Sequence, residues 1–320
     1  MEKNSRIYVT GHKGMVGSAI VNKLESEGYK NLILKTHREL DLLDQKSVKK
    51  FYHDNKPDYV FTGAAKVGGI HANNTYRAQF IYENLQIQNN LIHYAYESGV
   101  NKLLFLGSSC IYPRNAPQPM KEEYLLTGEL EVTNEPYALA KIAGIKTCES
   151  YYHQYGCQFF SVMPTNAYGP NDDYNLETSH ALPALIRKIH EAKISGAKEV
   201  AVWGSGKPIR EFIHVDDIAG ACLFVIDMDF SILYEKGLAH LNVGIGTEIS
   251  IRALAEMISK TVGYSGDLVF DQSMPDGTPR KVMDVSRINK LGWKHKIDLK
   301  EGLARTYASF IDNLANKNVI

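Results

Sequence analysis

The chain has 320 residues, of which 44% are hydrophobic, and its 36 Lys+Arg balance 36 Asp+Glu. At roughly 150 residues per domain this is one large or two modest domains, with a core that needs no disulfide or metal staples. Net neutrality excludes a broad nucleic-acid footprint and a polybasic membrane patch, and the composition excludes disordered, collagen-like and disulfide-scaffold classes.

The polar stretch Met1 to Arg6 runs straight into the first predicted strand, without the basic and apolar regions of a signal peptide. No run approaches the roughly 20 apolar residues of a membrane span. Strands are predicted at Ile7–Thr10, Asn31–Lys35, Tyr59–Thr62, Leu103–Gly107, Phe159–Met163 and Val200–Trp203. Helical patterns lie between them, near 15–27, 46–55, 74–98, 136–155 and 179–195. Apolar strands alternating with helices imply a doubly wound α/β fold, a parallel Rossmann sheet covered on both faces. Two connections, Pro113 to Pro136 and Pro164 to Ser179, are long and turn-rich. Both follow strands, so both belong at the sheet's carboxyl edge, where open sheets bind ligands. From about Met163 the alternation breaks down. The expected division is a nucleotide-binding domain over 1–165, with segments near 210–245 returning to it, and a smaller substrate-binding lobe over 166–320.

Cys110, Cys148, Cys157 and Cys222 fall at neither C-x-x-C nor zinc-ligand spacing, which suggests a reducing, cytoplasmic compartment and no metal. The latter three lie within apolar patterns and read as structural.

The first strand runs into Gly11-His12-Lys13-Gly14-Met15-Val16-Gly17 and then a helix. Glycines there let backbone N–H groups approach a pyrophosphate at a helix N-terminus. An NAD site usually has an acid at the end of the second strand; this chain has Lys35-Thr36-His37-Arg38 and no acid until Glu39. A basic cluster suits a 2′-phosphate, so NADP(H) is the expected cofactor, with Arg38 near that phosphate.

Tyr137 and Lys141 stand at i and i+4 on one helix face, behind Pro136. A nearby ammonium favours phenolate, so the Tyr137 pKa is expected to fall toward working pH, and the phenol can protonate a carbonyl oxygen as a hydride reaches its carbon. Chance supplies on the order of one such pair in a chain this rich in Tyr and Lys, and Tyr52 with Lys56 is a second. Only Tyr137 follows a serine-bearing strand end, Gly107-Ser108-Ser109-Cys110, where Ser108 can complete an oxyanion site.

Together the glycine spacing, the serine after the fourth strand, Tyr137-x-x-x-Lys141 and Arg210-Glu211-Phe212-Ile213-His214-Val215-Asp216-Asp217 resemble the extended short-chain dehydrogenase/reductase superfamily. Gly107-Ser108-Ser109-Cys110-Ile111-Tyr112-Pro113 and Asp276-Gly277-Thr278-Pro279-Arg280-Lys281 are similar to its GDP-L-fucose synthase family, nearly end to end. Lys13 stands where that family often has Arg; it keeps the charge and loses the planar fork. The resemblance implies an NADPH-dependent 3,5-epimerase and 4-reductase acting on GDP-4-keto-6-deoxy-D-mannose. It implies Cys110 as base, with a thiol of ordinary pKa near 8.5, and His180 as acid near 6.5. On pattern alone Cys110 would read as core filler and His180 as a surface residue of a first helical turn. Further cofactor contacts implied are Leu106, Gly107, Lys141, Pro164, Asn166, Ala167 and His180. Substrate contacts implied are Lys188, Trp203, Arg210 and Asp276. Related enzymes commonly pair through helices like those near 74–98 and 136–155, so a homodimer is expected. Two other readings remain: an NAD-retaining sugar-nucleotide epimerase or dehydratase, and a non-catalytic NADPH-binding regulator on the same fold.

Overall fold

Short runs of aliphatic and aromatic residues with no charged side chain in their interior become the buried strands, and the amphipathic stretches between them cover the sheet. A computed structural model describes residues 1–317 except Glu177 and Pro275; the last three residues of the expected 166–320 lobe lie outside the described residues. In chain order come β1 (Ile7–Thr10), α1 (Met15–Ser26), β2 (Leu32–Ile33), α2 (Gln45–Asn55), β3 (Tyr59–Thr62), α3 (Ile70–Thr75), α4 (Arg77–Glu97), β4 (Lys102–Leu106), α5 (Glu135–Tyr155) and β5 (Gln158–Pro164). Then follow β6 (Asn166–Tyr168), α6 (Ala181–Ser195), β7 (Glu199–Trp203), β8 (Ile209–Arg210), β9 (Phe212–His214), α7 (Val215–Ile226), α8 (Phe230–Glu235) and β10 (His240–Val243). The chain closes with β11 (Ile249–Ser250), α9 (Ile251–Val262), β12 (Asp267–Asp271), β13 (Arg280–Lys281), α10 (Ser286–Lys290) and α11 (Leu299–Lys317).

The central sheet has six parallel strands in the order β10-β5-β4-β3-β1-β2, a doubly wound α/β fold as expected. From β1 the chain steps outward to β2 and then returns to place β3 on β1's other side. The crevice beyond β1 and β3 is therefore the switch point at which such sheets bind ligands. Two expectations need correction. Val200–Trp203 forms β7, but β7 pairs with β12 in a separate two-stranded sheet and buries only alternate residues. The sixth central strand is β10, a four-residue run that the sequence reading did not mark as a strand. The helix expected over 74–98 is divided at Tyr76, whose ψ of 37° leaves the helical range.

Buried side chains form two clusters. The larger surrounds the central sheet and takes in Ile213 to Val243 and Met283 to Trp293. The smaller joins Leu182 to Ala192 of α6, Leu254 to Val262 of α9, and Val200, Val202, Phe212, Leu303 and Phe310. The long connections after β4 and β5 leave the carboxyl edge of the sheet; the first packs Tyr112, Ala116 and Met120 into the larger cluster, and Tyr174 of the second packs against the smaller. Among the described residues, no helix is long and apolar enough to cross a membrane.

Candidate active site

Close backbone approach explains the glycines after β1. Gly11 has φ +67°, and a Cβ there would lie 2.9 Å from the Gly63 and Ala64 backbone beyond β3. A Cβ on Gly17 would lie 2.1 Å from the Gly11 carbonyl oxygen, so only glycine lets α1 begin this close to the strand. Gly14 caps α1, whose first turn holds no acid and receives no side-chain cap. The amides of Met15, Val16 and Gly17 thus remain for an anion. His12 Nδ1 is buried with no hydrogen-bond partner among the described residues; Lys13 beside it is exposed, and so is Arg38 in the stretch after β2. Glu39, the first acid after β2, is occupied locally: its carboxylate accepts from the Thr36 N–H at 2.8 Å and the Thr36 hydroxyl at 2.6 Å. A glycine cradle that side chains would fill, followed by Lys13 and with Glu39 bonded to Thr36, fits a dinucleotide with a 2′-phosphate.

At the end of β4, a Cβ on Gly107 would meet the Met163 side chain at 2.2 Å, and the Gly107 N–H donates to the Val162 carbonyl at 2.9 Å. The chain then turns into a short 3-10 helix, Ser109–Ile111, whose first amides need a partner. Ser108 supplies it, accepting from the Cys110 N–H at 3.4 Å, and so Ser108 and Cys110 are held together. Tyr137 and Lys141 lie one turn apart on α5. The Tyr137 ring meets Phe80 edge-on with centroids 6.3 Å apart. The Lys141 ammonium donates to the Leu106 carbonyl at 2.9 Å, 5.7 Å from the Tyr137 ring centre. The rival pair separates: Tyr52 is buried against Tyr8 and Phe51, while Lys56 leaves its helix in the left-handed region at φ 43°.

Electrostatics corrects three expectations. Burial raises the Tyr137 phenol far above its ordinary range instead of letting Lys141 lower it. The reason is desolvation, which disfavours phenolate, and the neighbouring Cys110 thiol adds to the rise. The same desolvation brings Lys141 down to about 8. Burial also pushes the Cys110 thiol up, opposed by Lys281, Ser108 and Lys141. His180 caps α6 without a side-chain bond; it is solvent-accessible yet walled by protein on most sides, and desolvation followed by Lys281 lowers its pKa. Thiol and imidazole are thus driven apart rather than sitting near 8.5 and 6.5.

Lys281 acts on Cys110, His180 and Arg210 alike, so it lies among the groups assigned to catalysis and to substrate. Lys281 is not among the site residues expected from sequence, although it ends the Asp276–Lys281 motif. The signal was the unbroken motif, which continues past Asp276.

The four substrate candidates also converge. The Lys188 ammonium lies 4.6 Å above the Trp203 ring, which is 59% exposed. The Asp276 carboxylate accepts from the Ser205 N–H at 2.8 Å and the Ser205 hydroxyl at 2.6 Å, just beyond Trp203. Arg210 donates to the Thr278 carbonyl at 2.6 Å and interacts electrostatically with Asp276. Burial lowers both Lys188 and Arg210. Leu106 ends β4, Pro164 ends β5, and Asn166 and Ala167 open β6, all at the carboxyl edge; the Asn166 amide donates to the Glu211 carbonyl at 2.7 Å. Cys148 and Cys222 are buried and Cys157 is half-buried.

The profile of the NAD dependent epimerase/dehydratase family matches residues 7–244. The chain is 57% identical over 316 residues to GDP-L-fucose synthase 1 of Arabidopsis thaliana, covering 99% of this chain and 96% of that one. It is 55% identical over 311 residues to GDP-L-fucose synthase of Escherichia coli, covering 96% and 97%. Among solved structures, a GDP-mannoheptose C4 reductase from Campylobacter jejuni with NADP bound superposes with a TM-score of 0.90 at 45% identity, covering 97% of this chain and 99% of that one. A glycine cradle at the switch point, a serine-bearing strand end facing a Tyr–Lys helix, and this similarity along the whole chain agree: the chain belongs to the NAD dependent epimerase/dehydratase family and, within it, to the GDP-L-fucose synthases.

Proposed function

We propose that the chain converts GDP-4-keto-6-deoxy-D-mannose to GDP-L-fucose with NADPH, epimerising C3 and C5 and then reducing C4. What supports this is a Cys110 N–H bonded to Ser108 at the end of β4, with the thiol in electrostatic reach of Tyr137, Lys141 and of Lys281, which also acts on His180, in a chain 57% identical to a GDP-L-fucose synthase. Residues Gly11 to Gly17 hold the cofactor's pyrophosphate, Arg38 and Lys13 its remaining phosphate charge, and Leu106, Gly107, Lys141, Pro164, Asn166, Ala167 and His180 the rest of it. NADPH supplies the hydride when bound.

The chain's own residues move the protons. A ketone at C4 acidifies the hydrogens on C3 and C5. The Ser108 and Tyr137 hydroxyls donate to O4 while negative charge builds there. Cys110 Sγ takes the carbon-bound proton from one face, and His180 returns a proton to the other. In the reduction Tyr137 gives its proton to O4, and Lys141 stabilises the phenolate left behind. Lys188, Trp203, Arg210 and Asp276 hold the nucleotide portion, with Arg210 and Lys281 supplying cations for its diphosphate.

Incubating the full chain with GDP-4-keto-6-deoxy-D-mannose and NADPH in deuterium oxide should give GDP-L-fucose carrying deuterium at C3 and C5. NADPH consumption without that label would make the protein a simple C4 reductase, and NAD extracted from the purified protein would favour the NAD-retaining epimerase.

In the same reading, the cofactor domain spans about 1–165 with 210–245 returning and the substrate lobe 166–320; the larger and smaller clusters are mainly their respective cores, except that Met283 to Trp293 pack in the larger and Phe212 in the smaller. A cytoplasmic location is in keeping with four unpaired cysteines. A homodimer is supported by apolar side chains left outward on α4 and α5, Tyr82 at 64% and Leu139 at 42% exposure. Size-exclusion light scattering should return twice the chain mass, and a stable monomer at micromolar concentration would contradict pairing through this face.

A further inference from the structure

Glu211 is fully buried, next to Arg210, and has no part in the chemistry above. Backbone donors surround its carboxylate. One oxygen, Oε1, accepts from the Ile245 N–H at 2.7 Å and the Gly246 N–H at 2.8 Å. The other, Oε2, accepts from the Met283 N–H at 2.9 Å. These amides come from two separate segments, the turn between β10 and β11 and the stretch directly after β13. A Cβ on Gly244 would lie 2.2 Å from Oε1, so the absence of a side chain there makes room for the acid. The Glu211 carbonyl in turn accepts from the Asn166 amide at 2.7 Å, at the carboxyl edge of the central sheet.

A buried carboxylate is costly unless its oxygens are bonded, and three inward-pointing N–H groups call for a group that only accepts. Burial raises the Glu211 carboxyl, and the three amides with Thr165 oppose that rise. The segment so held has little regular structure of its own, since β13 is two residues long. It carries Lys281, paired in register with Arg210. Its other ties run to the connection after β4, to β10 and, through Arg280 donating to the Glu248 carboxylate at 2.8 Å, to the β10–β11 turn. Gln118 accepts from the Val282 N–H at 2.9 Å, the Met120 N–H donates to the Val282 carbonyl at 2.8 Å, and the Asn242 amide donates to the Asp284 carbonyl at 3.1 Å. Glu211 is where this segment, the β10–β11 turn and the Arg210 strand are joined.

We propose that Glu211 is a positioning residue for the reaction: by holding the Met283 amide and the β10–β11 turn, its carboxylate keeps Lys281 beside Cys110 and Arg210 beside the substrate diphosphate. The part concerning substrate rests on the GDP-sugar reading; the part concerning Cys110 does not.

The test is Glu211→Gln in the full chain. One carboxylate oxygen becomes an NH2 facing a backbone N–H, so at least one of the three bonds is lost. Cys110 alkylation by iodoacetamide is followed by peptide mass spectrometry across pH, against Lys281→Met. The charged groups near the thiol are Lys281 and Lys141, with the Tyr137 phenol beside them. Losing or displacing the Lys281 cation raises the pH midpoint of alkylation, so both variants should shift it upward, and the double variant no further than Lys281→Met alone. The KM for the GDP-sugar should rise about tenfold in Glu211→Gln, while NADPH affinity stays within twofold, a split that general loss of structure would not produce. An unmoved midpoint in Glu211→Gln beside a shifted one in Lys281→Met overturns the proposal, as does NADPH affinity falling in parallel with substrate affinity. If Glu211→Gln does not fold, Glu211→Asp withdraws the charge by one methylene and is read the same way. Alkylation needs no substrate, so failure of the GDP-sugar reading appears separately, as absent turnover in the parental protein.

Discussion

Tyr137→Phe should lower the rate of NADPH oxidation by about 10²- to 10⁴-fold, the usual contribution of a positioned general acid. Burial raises the Tyr137 phenol, so its proton stays in place across the whole working range of pH. It is a donor by default. What titrates is Lys141, brought down to about 8 by desolvation. Its ammonium stabilises the phenolate that remains once Tyr137 has given up its proton. The parental reduction rate should therefore fall as pH rises through about 8, where Lys141 loses its charge, and hold below it. In Tyr137→Phe the residual rate should lose that alkaline limb. The substitution removes one hydroxyl for which no hydrogen bond is present among the described residues, so stability should change by less than about 1 kcal/mol. Stopped-flow NADPH absorbance across pH, beside a denaturant melt, checks both statements. A variant that reduces at the parental rate would remove Tyr137 from the reaction.

Replacing Cys110 with Ser should suppress deuterium incorporation at C3 and C5 by about 10²-fold or more while NADPH affinity remains at the parental value. A hydroxyl has a far higher pKa than a thiol and is the poorer base. Cys110 also lies at the end of β4, apart from the glycine cradle at β1. The pH profile of incorporation tests the pairing with His180. Burial raises the thiol and lowers the imidazole, so between the two values the pair holds one proton and rests as thiol and neutral imidazole. The reactive form, thiolate and imidazolium, carries the same number of protons, so the ratio of the two forms does not change with pH in that window. Incorporation should be flat there. It should decline toward acid as both groups become protonated, and toward alkali as both lose their protons. Removing the thiol should abolish the alkaline limb with the rate. Parental incorporation in Cys110→Ser, measured by NMR of the product, would show that another base is at work.

Much of this is legible in the sequence because it depends on neighbours along the chain. The glycines of residues 11–17, the Tyr137–Lys141 pair and the alternation of buried strands with amphipathic helices are written in local spacing, and β1, β3 and α5 lie within a residue of where that spacing put them. The two Tyr–Lys pairs were separated on the same ground, by what precedes each in the chain.

Other features depend on residues that meet only after folding. With His240 and Asn242 among its four residues, β10 does not read as a buried strand until β5 pairs with it, and β7 reads like a sheet strand until β12 claims it. Lys281 and Glu211 fall within motifs of the sequence, but nothing in the motifs says what either side chain meets. Their setting beside Cys110, or against the Ile245, Gly246 and Met283 amides, is created by segments far apart in the chain. The directions of the pKa shifts belong to this second class as well. Spacing predicted that Lys141 would acidify Tyr137; desolvation, a property of the packed volume around the phenol, won instead. The sequence by itself determined the parallel α/β scaffold and the identity of the reacting groups, since those follow from short-range pattern and side-chain chemistry. Only the tertiary structure decided which cations share the cleft and which protons are held, because charge interactions and hydration depend on distance in space.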